Sequence, residues 1–592
     1  MTDKPEKRSQ ASQLVDMATS DYILGVGNDG QPYGSYPDIP HVALPLRGGK
    51  LGLRNALARA YFRKHNTVPS SQALADACNV IEAFAAQETP RTLHLRVAAA
   101  DDRIYIDMAD TDDRVIEISH GSWRIAANAP VVFRRSELSA PIPEPTRGGE
   151  LDKLWRHVNI VEADRPVLLA VLVAALIQPD VPHAIVALLA EHGCAKTTTA
   201  KRLVALTDPS AAPVSGPPRD IDAWVHTAYG SWLVAIDNVS TVPQWWSDAL
   251  CRAATGDAMT KRRLYTDADL AVLKFRRCII LTGIDLGGLS GDLTDRLALV
   301  ELRRLTEDNR CEESVLDAKW EHDYPVILGA LLDLAAQTHA KLADAKVPHL
   351  PRMADFAKVL AVIDAILDAR DESKTPDFSD LGGGKGLQRY RERSAYLSAD
   401  SLTSDPFIAE LIARHYSCTD LTARQIRAEI TIDDDKTGRP PADWPKDARA
   451  ITTRLTRHAP GLRAQGWRVE HDGGHNIRNA LQWTITPPEE GCNPDSSNSS
   501  DSSPQARGKL FDESQTGAGP SDNSSDSSNS SDSQALTSAN EETSQTSQQS
   551  PPSLNVSGFV PPTGPGRCRE CGCHVEKQGH KLDCSANERN DQ

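Results

Sequence analysis

The sequence predicts an α/β protein whose centre is a parallel sheet, and two observations lead to that prediction. Short apolar runs recur at 184–190, 233–237 and 278–282, as is typical of buried parallel strands, and the last two end in a polar residue. The first run leads into a glycine-containing loop and then into a helix-forming segment that opens with Lys196. A strand, a loop and a helix in this order form a unit that holds phosphate groups.

The loop differs from the pattern G-x-x-x-x-G-K-[ST] because alanine stands at both glycine positions, Ala190 and Ala195. Its backbone N–H groups and the start of the next helix can still hold phosphate oxygens. We expect Lys196 to reach the β- and γ-phosphates of ATP and Thr197 to bind Mg²⁺. The alternative, a chance match at a helix start, is disfavoured because the later motifs agree. The residues expected to line the nucleotide are His192, Gly193, Cys194, Ala195, Lys196, Thr197 and Thr198.

Asp237 ends the second apolar run, where an aspartate can hold the Mg²⁺ through water. The next residue is Asn238, where many nucleotide hydrolases of this type have a glutamate that activates the attacking water. An amide can orient water but cannot accept its proton. A second interpretation, equally favoured by the sequence, is that Asn238 caps the following turn. Three carboxylates remain open as candidates for a base: Glu191, Asp248 and Glu301.

Two further residues complete the predicted catalytic set. Thr282 ends the third apolar run, where a sensor residue would contact the γ-phosphate. Arg296 suits an arginine finger that reaches the nucleotide of a neighbouring subunit and stabilises the transferred charge. The alternative for Arg296 is a surface salt bridge with Asp292 or Asp295.

The ordered motifs resemble a known family. The run IDNVSTVPQWWSDALCRAATGDAMTKRRLYTD, followed by RRCIILTGID and DLTDRL, is similar to the ATP-binding replication proteins of actinobacterial phages and integrative elements. These resemble superfamily 3 primase-helicases, a branch of the AAA+ ATPases. The resemblance covers most of residues 90–370 and implies a ring-forming ATPase that acts on DNA.

The same resemblance implies a DNA-touching hairpin before the third apolar run. Its expected strands are 263–265 and 270–275, and its tip is acidic, which is unsuited to gripping phosphate. Basic residues at its base are expected to contact DNA instead: Lys261, Arg262, Arg263, Lys274, Arg276 and Arg277.

Length and charge limit the possible organisation. A chain of 592 residues is long enough for three or four domains. Its net charge of −16 does not exclude DNA, because residues 487–560 contribute 11 acidic and only 2 basic residues. We expect seven regions: a flexible N-terminus (1–40), an N-terminal α+β module rich in strands (41–145), the P-loop ATPase domain (150–345), a helical lid and linker (346–402), a winged helix (403–486), a disordered Ser/Asp-rich tether (487–560) and a zinc knuckle (561–592).

The sequence gives no sign of a membrane or secretory context. The longest apolar segment, 166–177, is shorter than the ~20 residues that cross a bilayer. The start of the chain is polar and leads into no apolar run. Seven of the 11 cysteines are scattered singly, which is typical of a cytoplasmic protein. We therefore expect a cytoplasmic protein with no membrane partner.

The pattern in residues 403–486 predicts helices at 405–416, 421–430 and 446–458, then a turn at 460–461 and a two-stranded hairpin. This region resembles the C-terminal winged helix of phage-type primase-helicases. We expect Lys446, Arg454 and Arg457 on or beside the third helix to contact DNA. The alternative is a winged helix that binds protein and presents an ordinary solvated face.

Near the end of the chain, the spacing C-x₂-C…H-x₃-C predicts a tetrahedral Zn²⁺ site. Its expected ligands are Cys568, Cys571, His580 and Cys584. A segment this short has no core of its own, so the metal would have to fold it. The alternatives are a redox pair or a disordered tail with idle cysteines.

Taken together, these features predict an ATP-dependent DNA replication protein of a mobile element, a homo-oligomeric ring of the helicase type. Its DNA would be single-stranded, an origin duplex, or both. No primase site is visible in the sequence, so primer synthesis would come from a separate primase or replisome protein. Two alternatives remain open: a nucleotide-gated initiator or loader with little or no hydrolysis, and a DNA-binding regulator whose ATPase domain is a relic.

Overall fold

The computed structural model describes a mixed α/β protein with several sheets. The described residues are 8–191, 193–256, 258–262, 270–283, 289, 291–305, 311–372, 378, 381–430, 443–474 and 481–488. No helix in these ranges combines the length and the hydropathy that crossing a membrane requires.

The N-terminal region begins with a helix and three strands where the sequence predicted a flexible N-terminus over 1–40, and that prediction is wrong. The first helix is capped by Ser9, whose hydroxyl accepts from the N–H of Ser12, and it buries Leu14 and Met17. A polar segment with few apolar residues therefore folds because those few meet a tertiary partner. The elements are α1 (Gln10–Asp21), β1 (Ile23–Val26), β2 (Pro32–Tyr36), β3 (Ile39–Pro45), α2 (Leu53–His65), α3 (Ser71–Ala85), β4 (Leu93–His94), β5 (Val97–Ala100), β6 (Arg103–Asp107), β7 (Val115–Ser119), β8 (Ser122–Ala126) and β9 (Val132–Arg134).

These strands form two sheets, so the β-rich character predicted for the N-terminal module is present. One sheet has the order β1-β2-β3-β9-β4, and the other is the antiparallel meander β5-β6-β7-β8. Alternate residues of the meander, including Ile104, Ile106 and Ile116, join the same apolar core as the helices of the next domain. The module is therefore packed onto that domain.

The central domain is a four-stranded parallel sheet in the order β11-β14-β10-β15. Its first helix is buried at every position from Val167 to Ile177, which explains the long apolar run in the sequence. The elements, after two short 3₁₀ turns at Leu151–Arg156 and Glu162–Asp164, are α4 (Arg165–Ile177), β10 (Ile185–Leu189), α5 (Lys196–Thr207), α6 (Ile221–Gly230), β11 (Leu233–Val239), α7 (Gln244–Thr255), β12 (Ala258–Arg262), β13 (Leu270–Lys274), β14 (Cys278–Gly283), α8 (Gly291–Thr294) and β15 (Leu297–Glu301).

The predicted hairpin is present, and its described first strand, Ala258–Arg262, precedes the expected strand 263–265. β12 and β13 pair antiparallel, with Ala258 opposite Lys274 and Arg262 opposite Leu270. The expected first strand, 263–265, and the acidic tip lie outside the described residues, as does the structure of Arg263.

Three helices follow, namely α9 (Glu313–Leu342), α10 (Ala354–Glu372) and α11 (Lys385–Thr403). The third lies where the sequence predicted part of a flexible linker, so that part of the prediction is wrong. Its glycines serve close packing: a Cβ on Gly384 would lie 2.3 Å from Oδ2 of Asp364, and one on Gly386 would lie 2.6 Å from Oδ1. Asp364 in turn accepts hydrogen bonds from the N–H groups of Gly386 and Leu387.

The last described domain contains three helices and a three-stranded antiparallel sheet in the order β16-β18-β17. Its elements are α12 (Pro406–Ala413), β16 (Cys418–Thr422), α13 (Ala423–Glu429), α14 (Ala448–Ala464), β17 (Arg468–His471) and β18 (Gln482–Thr486). The predicted turn at 460–461 is wrong, because α14 continues through Pro460. Ala459 and Leu462 extend the buried face of the helix, so packing outweighs the N–H that proline lacks.

Candidate nucleotide-binding site

The loop between β10 and α5 is held in an unusual backbone conformation. Gly193 has φ +79°, and Ala195 has φ +59°. Both values lie in the left-handed region, which glycine adopts readily and alanine adopts rarely. This conformation costs an alanine roughly 1–2 kcal/mol. Ala195 is also the N-cap of α5 and offers no capping side chain, so the first N–H groups of the helix remain suited to an anion.

Lys196 reaches back over the loop that it follows. Its ammonium group donates to the carbonyl oxygens of Ala190 at 2.6 Å and Glu191 at 2.8 Å. An ammonium has three donors, so two of them brace the loop. The side chain is half-buried, and the charge stays within the loop where phosphate groups would lie.

Asp237 joins the ends of two strands to the start of α5. Its Oδ2 accepts a hydrogen bond of 2.7 Å from the Thr197 hydroxyl, and its Oδ1 accepts one from the Thr282 hydroxyl. The parallel register explains this, because β10, β14 and β11 all end at the same edge of the sheet. Carboxylate and hydroxyl oxygens are ligands that Mg²⁺ accepts, and the pair fits a metal held at this edge.

Asn238 is exposed and has φ +59°, a conformation that asparagine adopts more readily than most residues. Its backbone N–H donates to the Thr282 hydroxyl at 3.1 Å. Thr282 thus bonds at once to the residue that would hold the metal and to the residue beside it. Since the Asn238 side chain makes no cap hydrogen bond to a described residue, it is available to orient water.

The three candidate bases differ in their surroundings. Glu301 pairs with Arg393, whose side chain lies on α11, and Asp248 accepts a hydrogen bond of 2.8 Å from Gln244. Glu191 is exposed within the loop itself and lies 3.8 Å from Arg304. Glu301 is therefore the candidate in the closer ion pair, whereas Glu191 is the candidate that lies within the loop.

Arg296 lies at the opposite edge of the sheet from the loop. Its carbonyl accepts from Ile185 at the start of β10, whereas the loop follows the end of that strand, roughly 15 Å away. Its guanidinium pairs with Asp292 at 2.7 Å, and its side chain is 12% exposed. Arg296 therefore makes the salt bridge that the sequence left as the alternative, and it lies too far away to contact the nucleotide of its own subunit.

The residues predicted to contact DNA are placed unevenly. Arg454 pairs with Asp405, the N-cap of α12, at 2.8 Å, and Arg457 donates to Gln244 on α7 at 2.9 Å. Lys446 is exposed just before α14. The backbone of Lys261 and Arg262 lies in β12, while their side chains fall outside the described residues.

One group of charged residues at the nucleotide edge could not be found from the sequence. Asp164 is buried, accepts from Arg389 at 2.8 Å and receives the N–H of Glu301 at 2.9 Å. Arg393 approaches Asp164 to 3.9 Å while pairing with Glu301. These contacts fasten α11 to the end of β15 beside the loop, and no motif marks them because they join segments far apart in the chain.

Five predicted ligands lie outside the described residues. They are His192 in the loop and the four predicted zinc ligands Cys568, Cys571, His580 and Cys584. Across the described ranges, no group of three or more His, Cys, Asp and Glu side chains has the geometry of a metal site.

Comparison with known proteins identifies two matching families. Residues 151–374 match the actinomycete integrative conjugative element replication protein, and residues 407–501 match the C-terminal domain of the same RepA proteins. These matches confirm the resemblance predicted from the sequence. No curated protein matches the chain.

Two solved structures are distantly similar. One is described as "SCCmec type IV Cch - active helicase"; it is 14% identical, with a TM-score of 0.38, over 79% of this chain and 93% of that one. The other is the apo NrS-1 C-terminal region (305–718), 10% identical, with a TM-score of 0.32, over 81% of this chain and 100% of that one.

Proposed function

The chain belongs to the actinomycete integrative conjugative element replication proteins, and we propose that it is an ATP-dependent ring ATPase of the helicase type that acts on DNA. The observation that carries the proposal is the junction at the carboxyl edge of the sheet. There, one carboxylate, that of Asp237, bonds to the hydroxyl after the loop lysine and to the hydroxyl that ends β14. The residues that we propose for the metal and for the sensor are thus joined in one hydrogen-bonded group, which supports the proposal.

Each residue has a distinct proposed role. Lys196 would leave the loop carbonyls to contact the β- and γ-phosphates, and the free N–H groups at the start of α5 would hold the remaining oxygens. Thr197 and Asp237 would hold Mg²⁺, which supplies charge neutralisation at the phosphates when it is bound. Thr282 would respond to the γ-phosphate, since its hydroxyl already links Asp237 to the backbone of Asn238.

Hydrolysis requires that a water molecule be oriented and deprotonated. Asn238 would orient it, and among the three candidate bases Glu191 is the one exposed within the loop. Arg296 would act on the nucleotide of a neighbouring subunit, since it lies at the far edge of its own sheet. In that case the Arg296 guanidinium must leave Asp292 and bind the γ-phosphate when the ring assembles.

The last described domain would serve DNA binding as a winged helix. Its order of helix, strand, helix, helix, strand, strand supports this proposal, and so does the exposed Lys446 beside α14. Arg454 and Arg457 would contact DNA only after leaving Asp405 and Gln244.

A zinc knuckle at the end of the chain remains part of the proposal. Three thiolates and one imidazole would supply a tetrahedral site that folds this segment. Metal analysis of the full chain should give one Zn²⁺ per chain, and Cys568→Ser should lower that ratio. A metal-free wild-type chain purified without chelator would remove this part of the proposal.

The deciding experiment is ATP turnover by the full chain, with and without single-stranded DNA, beside Lys196→Ala. We expect DNA to stimulate turnover and Lys196→Ala to abolish both nucleotide binding and turnover. The matched control is Lys201→Ala, an exposed lysine on the same helix, which should behave as wild type. Unchanged ATP affinity in Lys196→Ala would refute the assignment of the loop.

A second candidate function is a nucleotide-gated initiator or loader with little hydrolysis. Asn238 in place of a general base and the strained Ala195 favour it. It predicts Mg²⁺-dependent ATP binding that Lys196→Ala loses, without turnover at any DNA concentration.

A further inference from the structure

A cavity of about 400 Å³ lies between the N-terminal module and the amino edge of the parallel sheet. Its walls come from segments that are far apart in the chain, and three of the side chains that line it are arginines: Arg134, Arg276 and Arg277. Two carboxylates, Asp29 and the exposed Asp180, also line it, so the positive charges outnumber the negative ones.

Arg277 is the unusual member of this group. It is only 7% exposed, yet its guanidinium forms no ion pair with any carboxylate of the described residues. Its N–H groups donate instead to the carbonyl oxygens of Ala228, Arg276 and Tyr229. Burial, together with the nearby charge of Arg134, lowers the pKa of Arg277 to about 9. Buried charges in proteins are normally paired with an opposite charge, so an anion that entered this cavity would meet a guanidinium that no described carboxylate pairs with.

The other two arginines have fixed positions. The Arg134 guanidinium stacks 4.0 Å above the Tyr229 ring, and its nearest carboxylate, Asp29, is 3.9 Å away and already accepts from the Tyr229 hydroxyl at 2.6 Å. Arg276 donates to the Thr255 carbonyl at 3.2 Å. These guanidinium groups are held by aromatic and backbone contacts before any ligand arrives, which suits planar, bidentate recognition of phosphate.

Because Gly256 has no side chain, the Arg276 guanidinium can pack against the backbone at this position. Gly256 has φ +88°, and a Cβ there would stand 2.8 Å from the Arg276 guanidinium. Gly256 lies two residues before β12, and Arg276 lies two residues after β13. Both ends of the β12–β13 hairpin therefore lie at the rim of this cavity.

We propose that this cavity is a phosphate-binding site that takes a backbone phosphate of a single DNA strand lying beside the β12–β13 hairpin. The DNA part of this inference rests on the proposed function, whereas the anion site rests on the arginines alone. A phosphodiester carries one negative charge and two free oxygens, which matches the unpaired charge and the fork geometry of the guanidinium groups. The strand would be held at the amino edge of the sheet, opposite the nucleotide.

The test is binding of a fluorescent single-stranded oligonucleotide to the full chain over a range of salt concentrations. Arg276→Gln removes the charge and keeps a donor for the Thr255 carbonyl, and Arg276→Lys keeps the charge. Losing one phosphate contact should reduce the slope of log affinity against log salt by about 0.7–1 in Arg276→Gln. Arg276→Lys should retain the wild-type slope. The matched control is Arg124→Gln on β8, an exposed arginine outside the cavity, which should also retain it.

Two further measurements separate the possible outcomes. Thermal shifts with inorganic phosphate show whether the site takes a free anion; a shift that Arg276→Gln loses, with unchanged DNA slope, would overturn the DNA assignment. Mg²⁺–ATP binding without DNA should be equal in all variants, so a failure of the proposed function appears as lost ATP binding or as no DNA binding by the wild type. An identical slope and affinity in Arg276→Gln and the wild type, with no phosphate shift, would overturn the site.

Discussion

The two edges of the parallel sheet are built from different chemistry. At the carboxyl edge, Lys196 braces its loop while Asp237 gathers the hydroxyl groups of Thr197 and Thr282. At the amino edge, Arg276 and Arg277 bond to backbone carbonyls and form no ion pair with a described carboxylate. One edge holds the lysine and the oxygen atoms that we propose for phosphates and a metal, and the other holds positive charge.

The difference shows how each edge arises from the chain. The motif residues of the carboxyl edge each follow a strand or open a helix within one continuous domain, so strand ends alone bring them together. The amino edge combines that domain with the N-terminal module, through Arg134 and the buried pair of Arg96 and Asp208. It depends on docking between modules, and its residues lie in no motif.

The largest expected effect concerns Arg296, which also lies at the amino edge. If it acts on a neighbouring subunit, Arg296→Ala should lower turnover by about 10³-fold or more, with little loss of ATP binding. Turnover should be measured at concentrations where light scattering shows the assembled form. Asp292→Asn is the control, because it removes the salt bridge and leaves the arginine. Equal, small losses in both variants would leave Arg296 a purely structural role.

A second large effect should follow from breaking the contact that joins the two modules. Arg96 is fully buried, pairs with Asp208 at 2.8 Å and donates to the carbonyl oxygens of Asp107 and Ala140. Arg96→Ala leaves Asp208 buried without its partner, so the free energy of unfolding should fall by about 3–5 kcal/mol. Urea denaturation measures it, and Arg47→Ala at the exposed pair of Arg47 and Glu82 should cost less than about 1 kcal/mol. Equal losses in the two variants would contradict this account.

At the carboxyl edge, Asp237→Asn should reduce turnover by about 10–100-fold, because an amide cannot hold a water-bound Mg²⁺ as a carboxylate does. Steady-state rates over a Mg²⁺ titration check it, and higher Mg²⁺ should restore part of the activity. Asp222→Asn, at an exposed carboxylate on α6, is the control. A wild-type rate for Asp237→Asn would show that the metal lies elsewhere.

The smallest effect concerns His183, which lies near the amino edge and packs against Trp232. Burial, and then the charge of Arg276, lowers the pKa of His183 to about 4. Between pH 6.5 and pH 4 the His183 imidazole binds a proton in the unfolded chain but not in the folded chain. The free energy of unfolding therefore falls as pH falls from 6.5 towards 4. Between pH 8 and pH 5 this group should account for about 2 kcal/mol. Denaturation of wild type and His183→Phe at both pH values measures it; equal pH dependence in the two would remove the role of His183.

The strand-ending motifs were the part of the site that the sequence could place. Lys196, Thr197, Asp237 and Thr282 were expected to meet, and the structure brings their side chains to one edge. Their roles toward ATP and Mg²⁺ remain predictions. The linker predicted within 346–402 is partly the helix α11, because glycines that permit close contact with Asp364 look the same in a sequence as glycines of a linker.

The sequence by itself determined the features that depend on neighbouring residues: the apolar strands, the loop before α5, and the order of motifs that places polar residues at strand ends. Periodicity and turn chemistry are local, so one chain is enough to read them. Only the tertiary structure decided which charges meet. Asp164 with Arg389, Arg96 with Asp208, and Arg277 without a carboxylate partner among the described residues all depend on segments brought together by burial of a shared core. Packing free energy, summed over many contacts, fixes those neighbours and leaves no trace in local sequence.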